Sequence, residues 1–148
     1  MPMPPIQLHN SAAASEFFRN LIKEYGQSDR EQFIIALLSS KNRVTGFNIA
    51  SIGSLAAATI VGREVLKPAI LGNACSVVFC HNHPSGDCTP SEEDKAMTRM
   101  LLASAGSIGV TVHDHIIVSV MDSAFFSFAD KGLLRSYQDQ VRKIWYNN

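Results

Sequence analysis

The chain has 148 residues, 46% of them hydrophobic and 18% charged, which is long enough to bury one real core and short for two. Its 13 basic and 13 acidic residues cancel to a formal charge of +0, so no global field draws phosphate backbones or anionic membranes, and charge disfavours a nucleic-acid partner. No apolar stretch approaches the roughly 18 residues of a spanning helix, and Met1-Pro2-Met3-Pro4-Pro5 lacks the charged and apolar regions of a signal peptide, so a cytoplasmic chain with no membrane partner is expected.

In chain order, residues 1–10 read as a disordered, proline-rich start, and Ser11 to Tyr25 has helical periodicity. Gln32 to Leu38 reads as a strand, followed by a turn at Lys41-Asn42-Arg43 into a second strand, a plausible hairpin. Leu55 to Leu71 carries apolar residues at helical spacing, although Gly62 divides it and Lys67-Pro68 argues against an unbroken helix. Cys75 to Cys80 is a short, β-branched apolar run that reads as a buried strand with Cys75 and Cys80 in it. Pro90 then precedes Ser91, a preferred helix N-cap, and Asp94 three residues later resembles a capping box. Met97, Met100, Leu101 and Ala105 would dock that helix on a core, and Gly106 and Gly109 mark its end. Val110 to Val120 reads as a central strand and Gly132 to Tyr146 as a last helix. Strands and helices alternate, which is the pattern of a single α/β domain.

The chemistry concentrates between His81 and Asp94. If the strand continues to His83, the period of two puts His81 and His83 on one face with Asn82 pointing away. Pro84-Ser85-Gly86-Asp87 is turn chemistry that reverses the chain toward the capped helix, which presents Asp94 rigidly. Two histidines and a carboxylate make a catalytic zinc set, His81, His83 and Asp94, one ion per chain with the fourth position left for water. Such a metal lowers the pKa of its water to about 7. A general base must come from elsewhere. Glu31, at the start of the Phe33 to Leu38 run, is the best candidate; Glu16 and Glu24 read as solvated helix charges, and Glu64 is a rival.

A distant Glu followed by H-x-H-P-x6-S-x2-D is similar to the signature of the JAMM, or MPN-plus, metalloproteases, and every position is present here. The flanks Glu31-Gln32-Phe33, Lys41-Asn42-Arg43, Arg63-Glu64-Val65, His81 to Gly86 and Asp114 to Val118 resemble the RadC branch of that superfamily, over roughly residues 10 to 135. The resemblance implies a JAB/MPN-type domain over residues 11–135, with a mixed central sheet flanked by helices in cytidine-deaminase-like layering, and a C-terminal helix or tail over 136–148. It also implies that His81, His83 and Asp94 ligate zinc, Glu31 takes the proton of the zinc-bound water, and Ser91 hydrogen-bonds the developing oxyanion. The implied activity is hydrolysis of a peptide or isopeptide bond, with a ubiquitin-like or other protein conjugate as substrate. The resemblance also implies an N-terminal helix-hairpin-helix region in full-length members, and no counterpart of it is expected within these 148 residues.

His115 reads as a neighbour of the ligands or a structural residue, and His113 and His9 have weaker claims. Cys75, Cys80 and Cys88 are an odd number, which argues for reduced thiols; Cys88, between His83 and Asp94, reads as an exposed loop residue rather than an extra ligand. Two other readings stay open. One is a RadC-type DNA-associated protein or metal-dependent nuclease. The other is a non-catalytic zinc-containing binding module that engages a partner near Trp145 and Tyr146. Dimerisation through the last helix is likewise open.

Overall fold

In the computed structural model, which describes residues 6–52 and 60–146, the two most apolar runs of the chain lie side by side in the middle of one sheet. The elements are α1 (Ser11–Tyr25), β1 (Gln32–Leu38), β2 (Val44–Ile52), α2 (Gly62–Leu71), β3 (Ser76–Asn82), α3 (Glu92–Ser107), β4 (Thr111–Val118), β5 (Phe125–Ser127) and α4 (Leu133–Tyr146). The strand order is β2-β1-β3-β4-β5, with β3 and β4 parallel and every other neighbouring pair antiparallel.

Every residue of β1 and of β3 is buried, because the sheet is covered on both faces and neither face of a central strand meets water. Phe33, Ile35, Val77 and Phe79 point to one side, where Val65 and Leu66 of α2, Met97 and Leu101 of α3, and Leu134 and Tyr137 of α4 pack on them. Ile34, Ala36, Val78 and Cys80 point to the other side, under Phe18, Leu21 and Ile22 of α1. The result is a single α/β domain of three layers around a mixed sheet, as the sequence implies.

Several local expectations are modified. Ile6 O accepts a hydrogen bond from Val44 N, Gln7 bridges to Arg43 and Leu8 N donates to Asn42 O, so residues 6–8 lie against the hairpin turn instead of trailing free, and Asn10 caps α1 through Ala13 N. The part of the Leu55 to Leu71 segment before Ile60 lies outside the described residues. α2 runs through Pro68. The carbonyl that loses its partner belongs to Glu64, an exposed residue, while Val65, Leu66 and Ala69 gain full burial. Cys75 precedes β3 and is exposed, whereas Cys80 is buried within it. The boundary expected after residue 135 falls inside α4, whose Leu134 and Tyr137 belong to the larger core.

The connection that matters for the site is β3 to α3 to β4. The carboxyl end of β3, next to its parallel neighbour β4, faces the N-terminus of α3, which is where α/β folds present ligand-binding groups.

Candidate metal centre

His81 is the sixth residue of β3, on the same face as Val77 and Phe79, so its ring points toward the side covered by α3. His83 follows the strand, its backbone still held by Val118 O at 3.1 Å. The chain then turns: Gly86 N donates to His83 O at 2.9 Å, and Gly86 takes φ +85, where a Cβ would also meet the Met121 side chain at 2.7 Å. Asp94 arrives on the first turn of α3. The Ser91 side chain accepts from Asp94 N at 3.1 Å while Ser91 N donates to Asp94 Oδ2 at 2.8 Å, a complete capping box that fixes the carboxylate.

These elements bring three groups to one point. His81 Nε2 lies 3.2 Å from His83 Nε2 and 3.1 Å from Asp94 Oδ1, and His83 Nε2 lies 3.1 Å from Asp94 Oδ2. His83 Nδ1 is 2.7 Å from the Asp87 carbonyl, which can only accept, so Nδ1 carries a proton and Nε2 is the nitrogen turned toward the metal position. Ligands about 2.0–2.1 Å from a tetrahedral ion stand about 3.3–3.4 Å apart. The triangle is therefore close to one face of such a tetrahedron, and its donors, two imidazole nitrogens and a carboxylate, suit zinc. Among the described residues, these are the side chains that can hold a metal ion.

The electrostatics point the same way. Burial alone would raise the pKa of Asp94, but hydrogen bonds from His81, His83 and Ser91 N outweigh it and hold the carboxyl well below its usual range. His83 is held more basic than usual, chiefly by its hydrogen bond to Asp94 against the effect of burial, with the Asp87 carbonyl and the charges of Asp94 and Glu31 adding to it.

Glu31 is half-buried in the residue before β1. Because Phe33 pairs with His81 in antiparallel register, Glu31, two residues before Phe33, stands at the register of His83, two residues after His81. Its backbone is clamped on both sides: Asn82 Oδ1 accepts from Gln32 N at 2.8 Å, and Asn82 Nδ2 donates to Arg30 O at 2.8 Å. Glu16 and Glu24 are exposed on α1, across the sheet from Asp94. Glu64 is exposed in the first turn of α2, whose Gly62 abuts Ser104, ten residues along α3 from Asp94.

The Ser91 hydroxyl uses a lone pair for the cap, which leaves its proton for another acceptor. Cys88 is half-buried rather than exposed and packs against the larger core, with Sγ 3.5 Å from Ala124 O. Burial pushes its thiol up, so it is protonated at neutral pH. His115 is fully buried with Nε2 2.8 Å from His81 Nδ1, so it is a neighbour of the metal-facing group. His113 bonds Asn42 instead. The residues that sequence reasoning passed over are Asn82 and Thr98; Thr98 Oγ1 lies 2.7 Å from Asp94 O and 2.6 Å from His115 Nδ1. Thr98 offers one signal, its place one turn after Asp94 on the buried face of α3.

A five-stranded mixed sheet between helix layers, with this group at the end of a central strand, is the architecture of a JAB/MPN-type domain. The chain belongs to the RadC-like JAB domain family, whose model matches residues 8–133. It is similar to the UPF0758 proteins of Rubrobacter xylanophilus (43% identity over 106 residues, 72% of this chain and 45% of the relative) and Trichlorobacter lovleyi (42% over 123 residues, 83% and 51%). The UPF0758 protein of Symbiobacterium thermophilum is 40% identical over 133 residues, 90% of this chain and 55% of that protein. The chain spans about half the length of the curated relatives it matches.

Proposed function

We propose that the chain is a zinc-dependent metallopeptidase or isopeptidase that hydrolyses a peptide or isopeptide bond, with a ubiquitin-like tail or another protein conjugate as its substrate class. The observation that carries this reading is the convergence of His81 Nε2, His83 Nε2 and the Asp94 carboxylate within 3.2 Å of one another, with Glu31 at the register beside them. Zinc held there would acidify a water and polarise the scissile carbonyl.

The chain's own groups supply the remaining steps. Glu31 accepts a proton from the attacking water and returns it to the departing amine, so it ends the cycle as it began, a carboxylate. Asn82 holds the backbone on either side of Glu31, which limits where that carboxylate can swing. The Ser91 hydroxyl proton, free of the cap, donates to the carbonyl oxygen as charge develops on it. The balanced charge of the chain, 13 basic against 13 acidic residues, favours a protein or peptide substrate over a nucleic acid.

The test is cleavage of a panel of isopeptide-linked protein conjugates by zinc-loaded wild type and Glu31→Gln. The reading expects cleavage by the wild type and a loss of roughly 10²–10⁴-fold in Glu31→Gln with zinc content unchanged. Wild-type rates in Glu31→Gln would remove Glu31 from its role, and metal-dependent DNA cleavage lost in Asp94→Ala would replace the peptidase reading with a nuclease.

A further inference from the structure

A second set of hydrogen bonds runs behind the metal-facing group, and counting its protons places one on His81 Nδ1. The count starts at the backbone carbonyl of Asp94, which can only accept. Thr98 Oγ1, 2.7 Å away, therefore donates its one proton there. With that proton committed, the same oxygen can only accept from His115 Nδ1, 2.6 Å away, so His115 is protonated at Nδ1. The remaining nitrogen, His115 Nε2, faces His81 Nδ1 at 2.8 Å.

One of those two nitrogens must hold a proton, and the surroundings of His115 choose. Its ring is 0% exposed. It stacks on Phe128 at 5.0 Å with an 8° interplanar angle, and Phe33 and Phe79 meet it edge-on at 5.7 Å and 6.3 Å. Among the described residues, no carboxylate is bonded to it to offset a second proton, and a buried imidazolium without such a partner is costly. His115 is accordingly neutral, its Nε2 accepts, and the shared proton resides on His81 Nδ1.

We propose that His115 and Thr98 are positioning residues that hold a proton on His81 Nδ1 and so turn Nε2 to the metal position, an inference that rests on the metal-centre reading above. The relay begins at the backbone of Asp94 and ends opposite the side chain of the same residue, so the helix that delivers the carboxylate also sets the proton on the facing imidazole. His83 reaches the same state by a separate route, through the Asp87 carbonyl. Both rings then offer Nε2, as a shared ion requires.

Long-range ¹H–¹⁵N correlation NMR of the metal-free protein reads the His81 tautomer directly, and competition with a chelating dye reads zinc affinity. Wild type is expected to show His81 protonated at Nδ1. His115→Phe, which fills the space without an acceptor, should lose that preference and weaken zinc binding by about 10–100-fold. His115→Gln, whose side-chain oxygen can accept from His81 Nδ1, should restore most of both. Thr98→Val, close to isosteric, should loosen the tautomer with the fold intact, which covers the case of a His115→Phe protein that does not fold. A wild type whose His81 Nδ1 carries no proton, or a folded His115→Phe with wild-type tautomer and affinity, overturns the relay. A wild type that shows the Nδ1–H tautomer but takes up no zinc overturns the metal-centre reading alone and leaves the relay standing.

Discussion

Asn82 sits between two histidines whose rings converge, yet its own side chain serves the other face of the sheet. There it bonds Gln32 N and Arg30 O, the backbone groups on either side of Glu31. Asn82→Ala strips both partners from a fully buried position, and each orphaned group costs about 1–3 kcal/mol. The expected outcome is a clear drop in the urea midpoint, a fall in turnover through a displaced Glu31, and unchanged zinc content. A variant that loses zinc while retaining the midpoint would place Asn82 with the ligands instead. Alternation along the strand told which way Asn82 points, but not what it holds, because its partners are 50 and 52 residues away in sequence. Glu31 was legible as a candidate only from its place before an apolar strand and from family resemblance, since the pairing that sets it beside His83 is non-local. The three metal-facing residues were legible for the opposite reason: they fall within fourteen residues of one strand, turn and helix.

At the scale of elements, α3 stands on a cap whose residues also belong to the site. Ser91→Gly separates the two uses, since glycine at an N-cap costs only a few tenths of a kcal/mol. Helix content and zinc should be retained on circular dichroism and elemental analysis, while turnover falls by about 10²–10³-fold if the hydroxyl stabilises the oxyanion. Unchanged turnover would reduce Ser91 to a cap. The elements with sustained period, α1, β1, β3, α3 and β4, could be read in advance because each presents a full apolar face to a core. β5 could not: it is three residues long, paired only with β4, too short to show alternation. α2 was obscured by Pro68, whose local cost is outweighed by burial of Val65, Leu66 and Ala69.

For the whole molecule, two separate apolar cores, one on each face of the sheet, make the fold independent of a metal ion. Chelator-treated protein should keep its far-ultraviolet spectrum and melt at a lower temperature, and added zinc should restore about 2.7 kcal/mol at a hundredfold excess over Kd. Loss of secondary structure on chelation would instead make the ion structural. Among the described residues, no helix is long and apolar enough to cross a membrane. Trp145 and Tyr146 end α4 at 61% and 82% exposure, an apolar tip beyond the residues matched by the family model.

The measurement that bears most directly on the metal centre is zinc stoichiometry by elemental mass spectrometry on wild type and Asp94→Ala, purified without added metal or chelator. Convergence of His81, His83 and Asp94 predicts close to one zinc per wild-type chain and a sharp loss in the variant. Wild type that takes up no zinc even after reconstitution, or Asp94→Ala that retains it in full, would contradict the account.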